Sequence, residues 1–448
     1  MASRHAVAGL LSLSLLGCGD PISGGPTCGD VSEYYGGSEV PPFTVGHEPW
    51  CVDCPFKDMA TLDPGFVDYG FTSRVVMSEG GNVALVAMGP FPQNQAVWAA
   101  PYDSDEVTPM PGVALGAAFA MGDEGVPYVL FPTKSPHQLR LREPSGVEEI
   151  VSCPATDQLA HGLGIAIEPD GLHAIAALPA ETSLNRNVMA YTRGADGNWR
   201  EKELGQLNYG PVAVARAANG AWLAIGQPAL VHGKMAPGQT MLREDEEARQ
   251  IDIPSPVMEE DYEGTSFQPH PRIQILPGED DYFAVLSVGD GLVTVLFADG
   301  RRIEIPKEQT VFEECSTTAD HCLIDCTTLG SATMAATAFV DGDNLFVVMS
   351  EYSVDALTLF DCQPVTGGPC DCTETLDHDE QQARLVIARY DLATLSGGVV
   401  LEQPIPSAFP EIWMSAIPVG DDLLVAFREL SDTPVRVGTL DMAMLRAL

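Results

Sequence analysis

The chain has 448 residues, with 63 acidic against 23 basic side chains and a formal net charge of −40 at pH 7. Binding nucleic acid requires clustered Lys and Arg to neutralise phosphates; no such cluster exists, so that role and any polybasic contact with anionic lipid are excluded. The length suits one large domain or two ordinary ones, and the acidic surface suits a cationic partner or divalent ions, with plain solvation the simplest account.

The N-terminus carries Arg4 and then an apolar run from Ala6 to Leu16, interrupted by Gly9, Ser12 and Ser14. The run is too short for a bilayer span, which takes about 20 apolar residues. A charged head before a short apolar middle forms a secretory signal. The run ends Leu15-Leu16-Gly17-Cys18. This resembles the lipobox of bacterial lipoproteins, with an aliphatic residue three before a cysteine and a small residue just before it. The resemblance implies that residues 1–17 are a signal peptide, that Cys18 is lipidated, and that the lipid attaches the protein to a membrane. In familiar sorting of that family, aspartate directly after the cysteine retains the protein in the inner membrane. Gly19 stands there, so the resemblance implies a cell-envelope location with the outer membrane favoured over the inner. Residues 18–40 read as a flexible tether, glycine- and proline-rich up to Gly29. Residues 41–448 read as the folded domain.

Through the rest of the chain, short apolar stretches alternate with Gly/Asp turns, and no long amphipathic helix interrupts them. One unit shows the pattern most plainly. Leu163 to Ile167 is a strand, Glu168-Pro-Asp-Gly171 a turn, His173 to Leu178 a second strand, Val188 to Thr192 a third, and Trp199 to Leu204 a fourth after a Gly/Asp turn. Four antiparallel strands in roughly 40 residues is the pattern of one propeller blade. The first turn recurs at 79–82, 122–125, 169–171, 219–220, 278–281, 341–344 and 420–422. The second recurs at 103–106, 144–146, 195–197, 244–247, 298–300 and 396–398 and is missing from the last unit.

The pattern predicts an all-β fold: a β-propeller of seven four-stranded blades, with the last blade closed by an N-terminal strand so that no edge is left unpaired. Residues 43–52 are the candidate donor. An irregular pair of β-sandwiches and an eight-bladed ring are the alternatives. Long inserts at 255–271, 309–329 and 360–382 break the period; loops of such length are usually functional or disordered, and function on a propeller sits on face loops.

Eleven cysteines are present. Beyond Cys18 stand Cys28, Cys51, Cys54, Cys153, Cys315, Cys322, Cys326, Cys362, Cys370 and Cys372, an even set that predicts structural disulfides in an exported chain. Cys51-Val-Asp-Cys54 also has metal-knuckle or redox spacing. Zinc, however, needs a second ligand pair at comparable spacing, and the strand-into-helix context of a thioredoxin-type motif is absent. Spacing leaves the connectivity open, although the clusters 315–326 and 362–372 are expected to lie near each other.

No His-Glu-x-x-His motif, Gly-x-Ser-x-Gly elbow or phosphate loop occurs. Asp377, Asp379 and Glu380, with Asp361 and Asp371 nearby, could supply oxygen ligands to Ca2+; a solvated acidic loop is the simpler reading. His270 and His321 fall in inserts, and Trp50 and Trp413 read as core. Two function classes stay open. One is a membrane-anchored binding or scaffold module with a protein or glycan partner. The other is a propeller hydrolase, of glycan or lactone type, with carboxylates around the central channel. The lack of catalytic signatures favours the first, and fold alone does not decide.

Overall fold

Gly/Asp turns and short apolar strands build a ring of sheets. The structure, a computed structural model, describes residues 30, 44–51, 54–63, 72–77, 83–88, 95–100, 108–109, 118–122, 127–133, 137–153, 161–179, 185–207, 212–226, 230–231, 234–235, 239–251, 272–279, 282–289, 292–305, 312–318, 323–363, 371–405, 413–428 and 435–448. Strands β1 (Thr44–Gly46) and β2 (Lys57–Asp63) precede the first blade. Blade 1 is β3 (Thr72–Met77), β4 (Val83–Met88), β5 (Gln95–Ala100) and β6 (Thr108–Pro109). Blade 2 is β7 (Ala118–Met121), β8 (Pro127–Pro132), β9 (Leu139–Arg142) and β10 (Glu148–Ser152). Blade 3 is β11 (His161–Glu168), β12 (Gly171–Pro179), β13 (Arg186–Arg193) and β14 (Trp199–Leu207).

Blade 4 is β15 (Val212–Arg216), β16 (Trp222–Gly226), β19 (Gln239–Arg243) and β20 (Arg249–Ile251), with the small hairpin β17 (Leu230–Val231) and β18 (Lys234–Met235) between its second and third strands. Blade 5 is β21 (Arg272–Pro277), β22 (Tyr282–Gly289), β23 (Leu292–Phe297) and β24 (Arg302–Ile305). Blade 6 has five strands: β25 (Phe312–Thr318), β26 (Leu323–Asp341), β27 (Asn344–Gln363), β28 (Asp371–Asp391) and β29 (Gly397–Ile405). Blade 7 takes β30 (Trp413–Val419), β31 (Asp422–Arg428) and β32 (Val435–Asp441) from the C-terminus, followed by helix α1 (Met442–Ala447).

The inner strands succeed one another as β3, β7, β11, β15, β21, β26 and β30, and β30 returns to β3. The ring is therefore a closed seven-bladed β-propeller, which removes the sandwich and eight-bladed alternatives. All seven first turns and all six second turns read from the sequence fall between the strands they were expected to join.

Where burial is described, the second strands of the blades are buried on both faces, which is why these strands read as unbroken apolar runs. In β27, Leu345, Val347 and Met349 pack towards blade 5, while Phe346 and Val348 pack towards blade 7. The five are fully buried. In β16, Trp222 and Ala224 face blade 3, and Leu223 and Ile225 face blade 5. A side chain buried this way stabilises the ring by about 1.5–3 kcal/mol, and alternation hands that gain to two neighbours in turn.

Closure uses a different donor from the one expected. The outer strand of blade 7 is β2, antiparallel to β32 with Ala60 opposite Val437 and Leu62 opposite Val435. The stretch read as donor, 43–52, contributes only β1, which adds a fifth strand outside β2. Lys57–Asp63 lacks an apolar run because only one of its faces meets a core: Ala60 is buried, and Lys57 and Asp58 are exposed. The linker between β1 and β2 is tied down as well. Trp50 donates its indole N–H to the Val437 carbonyl (2.9 Å) and its ring lies 4.9 Å from that of Phe56. Trp50 is thus a core residue, as read. Both rings press on Gly438, where a Cβ would sit 2.8 Å from Phe56 and 3.1 Å from Trp50. Thr439 Oγ1 donates to the Lys57 carbonyl (2.9 Å), and Lys57 Nζ pairs with Asp422 (2.7 Å).

Two of the inserts are strand rather than loop. Residues 312–318 and 323–329 belong to β25 and β26, and 360–363 and 371–382 to β27 and β28. The insert 255–271 lies outside the described residues, as do the signal, Cys18, Cys28 and almost all of the tether. Among the described residues no helix is long and apolar enough to cross a membrane.

The closure generates a test. Gly438→Val forces the Trp50–Phe56 pair off β32 and is expected to destabilise by about 1–3 kcal/mol, read as a lower urea midpoint. An unchanged midpoint would mean that the contact does not close the ring.

Candidate functional site

The two faces of the ring differ in chemistry. One face holds the turns after the first and third strands of each blade, and arginines close many of the strands that lead into it. Arg193, ending β13, reaches Glu143 (2.7 Å) and Glu149 (3.2 Å) of blade 2. Arg216, ending β15, forms a forked pair with Glu168 of blade 3, with Nε–Oε1 at 2.7 Å and Nη2–Oε2 at 3.0 Å. Arg301 of blade 5 donates to the carbonyls of Leu392 and Ala393 of blade 6. Arg446 of α1 forks onto Asp341 of blade 6 at 2.6 and 2.9 Å. Each contact joins one blade to the next.

These pairs set the local electrostatics. The Arg216 guanidinium holds the Glu168 carboxyl below its ordinary value, and Arg446 does the same for Asp341. Burial pushes Glu149 the other way despite Arg193. Burial also raises the Tyr191 phenol to about 12, so it stays neutral. Glu168, Asp170 and His173 bring one ligand atom each within 4.8 Å of the others, which has the outline of a metal site. The outline is already filled. Glu168 is forked onto Arg216, whose charge opposes a cation, and His173 sits between Asp170 (3.0 Å) and the Thr192 hydroxyl (3.3 Å). Through Glu168 and Arg216 the trio forms a clamp between blades 3 and 4. It was missed in the sequence, although an arginine standing just before a Gly/Asp turn, as at 193 and 216, is the signal that finds it.

The opposite face carries an arm. The outer strand of blade 6 ends where Ile405 meets Ala383. Past that row β26, β27 and β28 run on together, with β25 beside them. From Tyr352 to Gln363, β27 continues for about 40 Å at 3.3–3.4 Å per residue. The second strands of blades 5 and 7 stop at Gly289 and Arg428 with no such extension. No lysine or arginine occurs between Lys307 and Arg384, whereas Asp325, Asp355, Asp361, Asp371, Glu374, Asp379 and Glu380 all fall on the arm. At its root the buried Glu351 pairs with Arg384 (3.1 Å), which also reaches Glu402 (3.4 Å).

The stretch read as a calcium-binding loop lies in this arm, as strand. Asp379 stands opposite Ala356 and Glu380 opposite Asp355, while Asp377 falls at a register shift between Leu376 and His378. Asp379 and Glu380 are thus consecutive positions of a strand rather than of a loop. The candidate cysteines divide three ways. Cys51 and Cys54 are bonded to each other, and Cys153 is also disulfide-bonded. Cys315 stands opposite Cys326, and Cys362 opposite Cys372; Cys326 also lies opposite Thr358, four residues before Cys362 on β27, which places the two clusters on adjacent strands. Cys322 and Cys370 lie outside the described residues, as does His270; so does His321.

Among the described residues, the inner strands within the blades carry Asp or Glu at Glu168 and Asp341, both at the turn end and both held by arginine. A cavity of about 230 Å³ opens between blades 2, 3 and 4, lined by Phe119, Leu163, Ile165, Val214, Trp222 and the ion-paired Arg216.

No protein-family model matches the chain, and no curated protein matches it in sequence. Among solved structures, virginiamycin B lyase from Staphylococcus aureus is similar over 86% of this chain and 99% of that one, at 15% identity and a TM-score of 0.45. Oligogalacturonate lyase from Vibrio parahaemolyticus is similar over 90% and 98%, at 11% identity and 0.44. The WD40 domain of SCAP from fission yeast is similar over 90% and 99%, at 9% identity and 0.37. At these identities and scores the likeness carries no chemistry across. The propeller assignment rests on this chain's own seven sheets.

The clamp between blades 3 and 4 has a pH signature. The folded pKa of Glu168 lies below its ordinary 4.5. Its stabilisation is therefore full above that value and is lost as pH falls through the depressed folded value. Arg216→Met is expected to lower Tm by about 2–4 °C at pH 7, and the gap to the parent should close as pH falls below 4.5. A gap independent of pH in thermal scans would mean that Arg216 acts by packing on Trp222 and not through Glu168.

Proposed function

We propose that the protein is a lipid-anchored binding or scaffold module of the cell envelope, which presents the blade 6 arm to a protein or glycan partner. The observation that carries this reading is the arm itself. Three strands leave a compact ring together, on the face away from the inter-blade clamps, and bear acidic groups without a basic one. Extending strands past their blade costs backbone ordering of about 1–2 kcal/mol per residue without the two-sided burial that the ring strands receive. A surface feature of that cost is most simply kept for contact.

The anchor reading is supported by the N-terminal sequence. Arg4, the apolar run to Leu16 and the Gly17-Cys18 junction coincide. A lipidated cysteine attaches the chain without spanning the bilayer, and outer-membrane placement follows from Gly19. The competing reading is a glycan or lactone hydrolase with a channel carboxylate pair; among the described residues, the inner strands within the blades carry Glu168 and Asp341, each paired with arginine.

Two experiments test these parts separately. Fatty-acid labelling of the protein in a bacterial host should mark the parent chain and be lost in Cys18→Ala; label retained in the variant removes the anchor reading. Chemical cross-linking in the native envelope, with partners identified by mass spectrometry, should capture a partner with the parent and lose it in a variant lacking residues 360–382. The variant's melting curve should confirm an intact ring. A partner captured equally by both would move binding off the arm.

A further inference from the structure

Among the described residues, ring strands are packed between two blades, whereas β25 and the extended parts of β26, β27 and β28 run past the ends of the neighbouring blades' strands. Narrow free-standing antiparallel sheets are marginal in water, and Asp355 opposite Glu380 places like charges directly across from each other, a destabilising pair. A second source of cohesion is required, and the register points to it.

We propose that two cross-strand disulfides, Cys315–Cys326 and Cys362–Cys372, staple the arm. Both pairs are directly opposed in the ladders. Directly opposed residues of an antiparallel pair stand about 4.5 or 5.5 Å apart at Cα, and both spacings fall in the window of about 4.4–6.8 Å that a disulfide spans. The bonds also fall on one side of the arm. Cys326 is opposite Cys315 on one flank and Thr358 on the other; Thr358 and Cys362 are four residues apart on β27 and so share a face. The first bond ties β25 to β26 and the second ties β27 to β28, so each of the four strands is covalently held to a neighbour. Each bond forms by thiol–disulfide exchange. The two thiols give up two electrons and two protons to an external disulfide, of an oxidoreductase or a small molecule, which leaves as two thiols. The pairing stands whether or not the arm binds a partner.

The charge pattern sets the experiment. Trypsin leaves residues 308–384 in one fragment, since no Lys or Arg lies between Lys307 and Arg384. All six arm cysteines are in it. Full-length protein exported to an oxidising compartment is alkylated without reduction, digested with trypsin and then cleaved before its aspartates, those at 320, 325, 341, 361, 371 and 377 among them. The expected products are fragment 308–319 linked to 325–340, and 361–370 linked to 371–376 through Cys362, located by fragmenting the linked peptide because Cys370 shares that fragment; a link through Cys370 would overturn the pairing. Each pair should be lighter than its separate parts by two hydrogens and should separate on reduction. Alkylated Cys315, Cys326, Cys362 or Cys372 as the main species would overturn the proposal. So would a bond inside 361–370, which would join Cys362 to Cys370, or a link from 308–319 to 320–324, which would join Cys315 to Cys322.

Discussion

The hydrogen-bonded seam between β2 and β32 is the constraint on which the ring depends. Six blades are each made from one continuous stretch of chain. Blade 7 joins residues 57–63 to residues 435–441, so the two ends of the sequence meet in a single ladder. Without it β32 would be an exposed edge and blade 7 would have only three strands. The seam explains several local choices at once. Gly438 leaves room for Trp50 and Phe56; Thr439 ties the Lys57 carbonyl; Lys57 joins Asp422 and reaches towards Asp441, which also caps α1. The helix then delivers Arg446 to Asp341, and the closed blade is locked onto blade 6.

Charge is distributed with the same logic. A chain carrying −40 repels itself, and the few bases are spent where repulsion would open the ring. Arg193, Arg216, Arg301 and Arg446 all bridge blades on the turn face. Exposed ion pairs contribute little, but forked arginine–carboxylate pairs that are partly buried hold geometry as well as charge. On the arm no base is supplied until Arg384 at the root, so its acids have no basic neighbour in the sequence.

The ring was legible in the sequence because its turns are chemically explicit. Asp and Gly at 169–171, 341–344 or 420–422 mark positions that a strand cannot occupy comfortably, and the apolar runs after them reflect burial between two blades. The donor strand was not legible for the converse reason. Lys57–Asp63 meets a core on one face only, and Asp58 adopts a positive φ of 49°, so no apolar rhythm announces it. The arm was read as loops because periodicity reports burial, and strands that leave the ring have no neighbouring blade to impose it. The clamp residues Glu168, Asp170 and His173 were hidden because pairing between blades joins residues some 50 positions apart, as Arg193 with Glu143 does.

Ring and arm therefore answer to different physics within one blade. Up to Glu351 and Arg384, β27 and β28 are held by apolar packing shared with blades 5 and 7, and removing one side chain is felt on both sides. Beyond that ion pair the same strands keep their ladder past the ends of the described strands of the neighbouring blades. A surface built so can change its side chains freely, since the ladder depends on backbone hydrogen bonds and local cross-links rather than on a packed interior. That freedom suits a binding element whose partner sets its sequence, and it is the reason an anionic arm can grow out of a ring whose own sequence is bound by packing at nearly every second position.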